Sequence, residues 1–156
     1  MSLEIEKYLA LLEQRLGLLR ALAQQLVGCR KEFVAMDLDG MYLRIGEQEE
    51  LCRQIESVHP AIDSLQRTCA RQLELARMDA ARLPEDVAWA GRLRGAMREF
   101  GEAQAEVNRL SQIHAAYLRR SRRTVDMLMN FFGNYELTYA APAVSTPRAP
   151  RAEERG

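Results

Sequence analysis

Residues that could carry chemistry are few and widely spaced in this chain. The two histidines, His59 and His114, lie far apart, and no Cys-x-x-Cys spacing joins the three cysteines, Cys29, Cys52 and Cys69. Metal sites and disulfide frameworks need such groups at close, fixed spacing, so we expect reduced thiols, no bound metal and no cofactor. No glycine-rich phosphate loop, Ser/His/Asp set or His-Glu-x-x-His motif occurs. The sequence therefore predicts a protein that is not an enzyme.

The acidic run at residues 37–40 (DLDG) begins like a calcium-binding loop. An EF-hand needs oxygen ligands that continue at fixed steps to a glutamate, whereas a methionine, a tyrosine and a leucine follow here. We expect this run to be a junction between helices, with Asp37 or Asp39 capping the second of them.

A cluster of four arginines lies near the end of the chain, at Arg119, Arg120, Arg122 and Arg123. No acidic residue occurs between Val107 and Val125, so the cluster is locally uncompensated. At about 100° per residue, the four side chains cover an arc of about 160° on a helix. A solvated outer face explains them, and a site for nucleic acid or an acidic partner is the alternative. No aromatic residue lies among them and the net charge of the chain is zero, so we expect no nucleic-acid partner.

The first element that must position these groups is a long helix at the start of the chain. Apolar residues recur there in alternating steps of four and three, as in a coiled coil or long bundle: Ile5, Leu9, Leu12, Leu16, Leu19, Ala23 and Leu26. Ser2 is placed to cap this helix. The helix either ends near Gly28 or continues to about Ala35.

Two further helical stretches follow. The first runs from about Leu38 to Leu83, as one kinked helix or as two nearly collinear helices that meet at Pro60. Pro84 and the two acids after it mark the next start, of a helix over residues 85–132 that Gly133 and Asn134 would cap. The predicted fold class is all-α: an elongated antiparallel helical hairpin or bundle of long, coiled-coil-like helices.

Three polar residues interrupt the apolar stripe of the last helix: Ser111, His114 and Ser121. A buried polar group lowers stability unless it is hydrogen-bonded, but it can fix the register of packed helices. We therefore expect these three in the bundle core, hydrogen-bonded across helices.

The end of the last helix is richer in methionine and aromatic residues than packing against one helix requires. The apolar residues of this end and of the stretch that follows it are Met127, Met129, Phe131, Phe132, Tyr135, Leu137 and Tyr139. Such side chains form an adaptable apolar surface, and exposed surface of this kind marks an interaction site. Core packing in a larger bundle and dimerisation are the alternatives.

The remaining residues, 140–156, contain three prolines and no large apolar side chain. Their composition predicts a disordered tail after a helical domain that covers residues 1–139. The chain opens with acids instead of a basic leader and has no apolar run of about 20 residues, so we expect a soluble, cytoplasmic protein without stable membrane insertion.

The order of these features resembles the FlgN-type flagellar export chaperones. A leucine-rich first helix is followed by one with EQEELCRQIESV, by a long last helix with LSQIHAAYLRRSRRTVDMLMNFF, and by a Thr-Tyr pair and a polar tail. The last-helix pattern of the family is matched at Leu110, Ala115, Leu118 and Ser121. Ser111 and His114 stand where family members usually have asparagines.

This resemblance implies binding and not catalysis. Proteins of the family hold hook-associated proteins of the hook–filament junction in the cytoplasm and deliver them to the flagellar type III export apparatus, so components of the export gate and its ATPase are further implied partners. The implied docking residue for the gate is Tyr139, with Tyr135 as the second candidate. Cargo binding is expected at Leu118, Val125, Leu128, Met129, Phe131, Phe132, Tyr135 and Leu137.

Two other classes remain open from the residues alone. A structural coiled-coil protein could self-assemble through the stripe at residues 5–26, and a homodimer is compatible with the same pattern. A helical module could bind nucleic acid through the arginine cluster.

Overall fold

The computed structural model describes residues 2–138, and their side chains as far as residue 132. Tyr139 and the predicted tail at 140–156 lie outside the described residues. Within residues 2–138 the secondary structure is helical and contains no strand: α1 (Leu3–Val34), α2 (Leu38–Gln72), a short 3-10 helix (Ala80–Arg82) and α3 (Ala88–Thr138). The all-α prediction is confirmed. None of the described helices is long and apolar enough to cross a membrane.

The chain divides into two compact units, residues 1–116 and residues 117–156. The first unit is a bundle of α1, α2 and the first part of α3. Its main core cluster takes side chains from all three helices and from the connection before α3: Ile5, Tyr8, Leu9, Leu12, Ile62, Cys69, Ala70, Met78, Leu83, Ala90, Leu93 and Ala96. A second cluster joins Leu19 and Leu22 of α1 to Val107 of α3. The first residues of α1 pack with the first residues of α3, and later residues of α1 pack with a later residue of α3. α1 and this part of α3 therefore run in the same direction.

The apolar stripe of α1 is the inner face of this bundle. Ile5, Leu9, Leu12, Leu16 and Leu19 are all buried, so the face that a structural coiled-coil protein would use to self-assemble is already covered within the chain. Ser2 caps α1 as predicted, since its hydroxyl accepts a hydrogen bond from the Ile5 amide at 3.4 Å.

The two positions at which a break was left open, Gly28 and Pro60, do not interrupt their helices. α1 continues past Gly28 to Val34, and α2 remains one helix across Pro60. Gly28 lies beneath the guanidinium of Arg44 from α2, where a β-carbon would collide with it. Arg44 pairs with Glu32 at 2.5 Å and donates to the Gln25 side-chain oxygen at 3.0 Å. The absence of a side chain at Gly28 therefore leaves room for the Arg44 guanidinium.

The junction between α1 and α2 is a compact double cap. The amide of Met36 donates to Phe33 and that of Asp37 to Glu32, which is the Schellman pattern that satisfies the last carbonyls of a helix. The Asp37 carboxylate then accepts from the Gly40 amide at 3.0 Å and begins α2. The predicted junction between helices is confirmed, and of the two candidate caps Asp37 is the one that caps α2. Met36 takes the left-handed conformation, with φ of 55°.

Replacing Met36 with glycine should stabilise the first unit. A left-handed backbone costs a residue with a β-carbon about 1–2 kcal/mol, and glycine avoids this cost. Glycine also has a larger conformational entropy in the unfolded state, which offsets part of the gain in stability. We expect a net gain of about 0.5–1 kcal/mol, or about 2 °C in melting temperature. Thermal unfolding followed by circular dichroism measures it, with Met36→Ala as the control that keeps the strain. Equal melting temperatures for both variants would contradict the assignment of backbone strain to Met36.

The end of α2 differs from the prediction. The helix stops at Gln72 instead of continuing to about Leu83, because Glu74 takes a left-handed conformation with φ of 54°. The Leu75 amide donates to Ala70 at 2.8 Å and that of Glu74 to Arg71 at 3.1 Å, a second Schellman cap. The chain then turns back and buries Met78 and Leu83 against the bundle. Burial of Met78 and Leu83 therefore favours this turn more than their helical spacing favours a continued helix.

Both bounds of the last helix also differ from the prediction. α3 begins at Ala88 and not at residue 85, since the chain leaves Leu83 in an extended conformation. It continues through Gly133 and Asn134 to Thr138. A glycine within a helix costs only about 1 kcal/mol, so it does not end a helix by itself.

The three polar residues on the apolar side of the last helix do not form a hydrogen-bonded core. Ser111 is exposed, His114 and Ser121 are half-buried, and the described residues include no buried polar or charged side chain. The Ser121 hydroxyl donates to the Tyr117 carbonyl one turn earlier in its own helix, at 3.0 Å. The prediction of hydrogen bonds across helices is therefore wrong, because the periodic pattern of α3 continues past the end of the buried core.

Candidate interaction surface on the last helix

The apolar residues of the second unit are exposed. Six of the eight residues predicted to bind cargo have described side chains, and each is between 44% and 68% exposed: Leu118, Val125, Leu128, Met129, Phe131 and Phe132. Tyr135 and Leu137 lie within α3, but their side chains are outside the described part. An apolar set of this size in contact with solvent is typical of an interaction site.

Helical spacing places most of these residues on one side of α3. Leu118, Val125 and Phe132 are seven residues apart, and Ser121 and Leu128 fall between them in the steps of a coiled-coil seam. At about 100° per residue, these positions and Met129 lie within an arc of about 100°. We refer to Leu118, Val125, Leu128, Met129 and Phe132 as the α3 stripe. It has the pattern of a helix that packs against another helix, yet its side chains are exposed.

An aromatic pair stands at the end of the α3 stripe. The rings of Phe131 and Phe132 meet edge to face, with centroids 5.7 Å apart and planes at 77°. Both rings remain more than half exposed. Aromatic side chains are enriched among the few residues that carry most of the binding energy at protein interfaces. The pair is therefore the strongest candidate anchor of this surface.

The charge beside the α3 stripe is positive. The four arginines of the cluster are exposed, and none of them forms a salt bridge with the described residues. Asp126 is the one acidic residue among positions 117–132. Arg122 lies about 40° around the helix from Leu118, at the border of the stripe. An apolar helix with acidic residues at its flank would complement this surface.

Groups that could carry covalent or metal chemistry are not assembled in the described residues. The part of the chain from residue 2 to 138 has no group of three metal-ligating side chains. All three cysteines are free. Burial raises the pKa of the Cys69 thiol, and it raises the pKa of the Tyr8 hydroxyl to about 12. Both groups are therefore protonated at neutral pH and are poor nucleophiles.

A second exposed apolar region was not predicted. Val34, Met36, Leu38, Tyr42 and Leu43, at the junction of α1 and α2, are each at least 65% exposed. Leu38 keeps the helical spacing of the apolar residues of α2, yet its side chain is exposed. Leu38 lies one residue beyond a capped junction, where no third helix covers it within the first unit. The sequence did contain one sign of this exposed region, because the adjacent apolar residues Tyr42 and Leu43 lie off the helical stripe of α2.

Comparison with protein-family models, with curated proteins and with solved structures gives no match for this chain. We therefore infer the function from the residues of the chain and from their exposure and charge.

Proposed function

We propose that the chain is a cytoplasmic export chaperone that binds flagellar hook-associated proteins and delivers them to the flagellar type III export apparatus. The observation that carries the proposal is the exposed α3 stripe, a coiled-coil seam whose side chains contact solvent. The resemblance of the last helix to FlgN-type chaperones supplies the class of client.

The physical role of the α3 stripe would be to cover an apolar helix of the client. Burying a leucine or phenylalanine side chain contributes about 1.5–3 kcal/mol, so a client helix that covers Leu128 and Phe132 gains substantial binding free energy. Helix-in-groove recognition uses this spacing of anchors. The same contact would hide the apolar face of the client from water and keep it soluble before export.

Delivery to the export apparatus requires a second contact. The resemblance assigns docking at the export gate to Tyr139, which follows α3 directly in the sequence. On this proposal the client occupies residues 118–137 and the export gate binds the next residues, with the export ATPase as a further partner. Changing Tyr139 would then leave client binding intact and impair export alone.

Co-purification of the chain with a hook-associated protein tests the proposal. Deletion of residues 125–156 removes most of the α3 stripe and should abolish co-purification. Deletion of residues 140–156 alone is the matched control and should leave client binding unchanged. A circular-dichroism melt verifies that each truncated protein retains the folded first unit. A folded 1–124 protein that binds the client undiminished would refute the proposal.

A further inference from the structure

The exposed region at the start of α2 forms a groove with α1. The groove has a volume of about 610 Å³ and is lined by Ala21 and Gln25 of α1 and by Tyr42, Leu43 and Leu51 of α2. Two carboxylates, Glu47 and Glu50, lie on the same lining. We refer to it as the α1–α2 groove. Tyr42 and Leu43 are 75% and 67% exposed, so its apolar lining contacts solvent.

The charge around the α1–α2 groove is negative. Residues 36–50 contain five acids against one arginine, Arg44, and this arginine already pairs with Glu32 of α1. Of the two carboxylates on the lining, Glu50 pairs with Arg53 at 3.0 Å on the exposed surface, whereas Glu47 forms no salt bridge with a described residue. The groove therefore combines open apolar surface with more carboxylates than cationic groups.

The sequence of the chain contains a segment with the opposite charge and the same kind of apolar surface. Residues 117–132 carry four arginines against one aspartate, together with the exposed α3 stripe. Charge complementarity of this kind steers association and selects a partner, while apolar contact supplies most of the affinity. Two exposed surfaces of opposite net charge in one chain are suited to bind each other between copies.

We propose that the α1–α2 groove of one copy binds the α3 stripe of a second copy, with Glu47 and Glu50 facing the arginines of the cluster. Each copy carries both surfaces, so the contact can form twice in a closed dimer. This interface differs from self-assembly through the α1 stripe, which is buried. The inference rests on the surfaces alone and does not depend on the identity of any client.

Sedimentation velocity of the full chain tests this pairing through a charge exchange. The wild-type chain should form a dimer whose population rises with concentration and falls in high salt. Glu47→Arg with Glu50→Arg should weaken association at least about tenfold, and so should Arg122→Glu with Arg123→Glu, because each variant opposes like charges. An equimolar mixture of the two variants should associate again, since every contact then joins opposite charges.

Glu102→Arg is the matched control, because Glu102 is exposed in the first unit outside the groove. It should leave the association constant unchanged. Circular-dichroism melts of all variants should coincide with that of the wild type, as every changed residue is at the surface. A wild-type chain that stays monomeric at every concentration would overturn the inference. So would a mixture that remains monomeric, or association that neither reversal weakens.

Discussion

Replacing Leu128 and Phe132 with glutamate should abolish client binding without lowering the stability of the first unit. Both residues lie on the α3 stripe, and both are more than half exposed, so their replacement removes no core contact. Truncating an anchor at the centre of an interface costs about 2 kcal/mol or more, and a buried carboxylate adds a desolvation penalty. Two such changes should weaken the complex by at least about a hundredfold.

Titration calorimetry with a purified hook-associated protein measures this effect. Leu3→Glu is the matched control, since Leu3 is similarly exposed but lies in the first turn of α1, where a carboxylate is favoured by the helix dipole. The control should bind the client as the wild type does. Retained affinity in the Leu128→Glu, Phe132→Glu variant would place the client elsewhere on the chain.

Replacing Leu93 with alanine should greatly lower the stability of the first unit, in contrast to the changes at Leu128 and Phe132. Leu93 is fully buried where α1, α2 and α3 meet in the main core cluster. Removing a buried leucine side chain costs about 2–5 kcal/mol, through lost apolar burial and the cavity that remains. This loss is a large part of the free energy of unfolding of a domain, which is roughly 5–15 kcal/mol. The melting temperature should fall by about 5–15 °C.

Urea unfolding of the Leu93→Ala and Leu118→Ala variants separates the two roles of α3. Leu118 is the same residue type in the same helix, but it is 44% exposed in the second unit. Its replacement should change the free energy of unfolding by no more than about 0.5 kcal/mol while weakening client binding. Equal destabilisation by both changes would mean that the α3 stripe is part of the folded core.

The residues of α1 illustrate what the sequence could predict. Alternating steps of four and three identified both the helix and its inner face, and Leu9, Leu12 and Leu16 are buried as that pattern requires. The surplus of apolar residues after Val125 likewise predicted exposed surface, because they could not all face one neighbouring helix. In both cases the amount of apolar surface, and not only its period, supported the prediction.

Other features depended on tertiary contacts that a periodic pattern does not contain. Periodicity shows which residues share a face but not whether another helix covers it, so Ser111 was wrongly assigned to the core. The end of α2 was missed because a glutamate takes the left-handed position that sequence rules reserve for glycine. The negative charge of the α1–α2 groove became significant only when the exposure of Tyr42 and Leu43 was known.

Hydrogen–deuterium exchange of the chain, with and without a stoichiometric hook-associated protein, tests most directly whether α3 binds the client. At a concentration where the chain is monomeric, α3 has an exposed apolar face and should exchange readily, and a bound client should slow its exchange. The account predicts slowed exchange across residues 118–132 and little change in α1. Protection confined to α1 or α2, with residues 118–132 exchanging as fast as in the free chain, would contradict it.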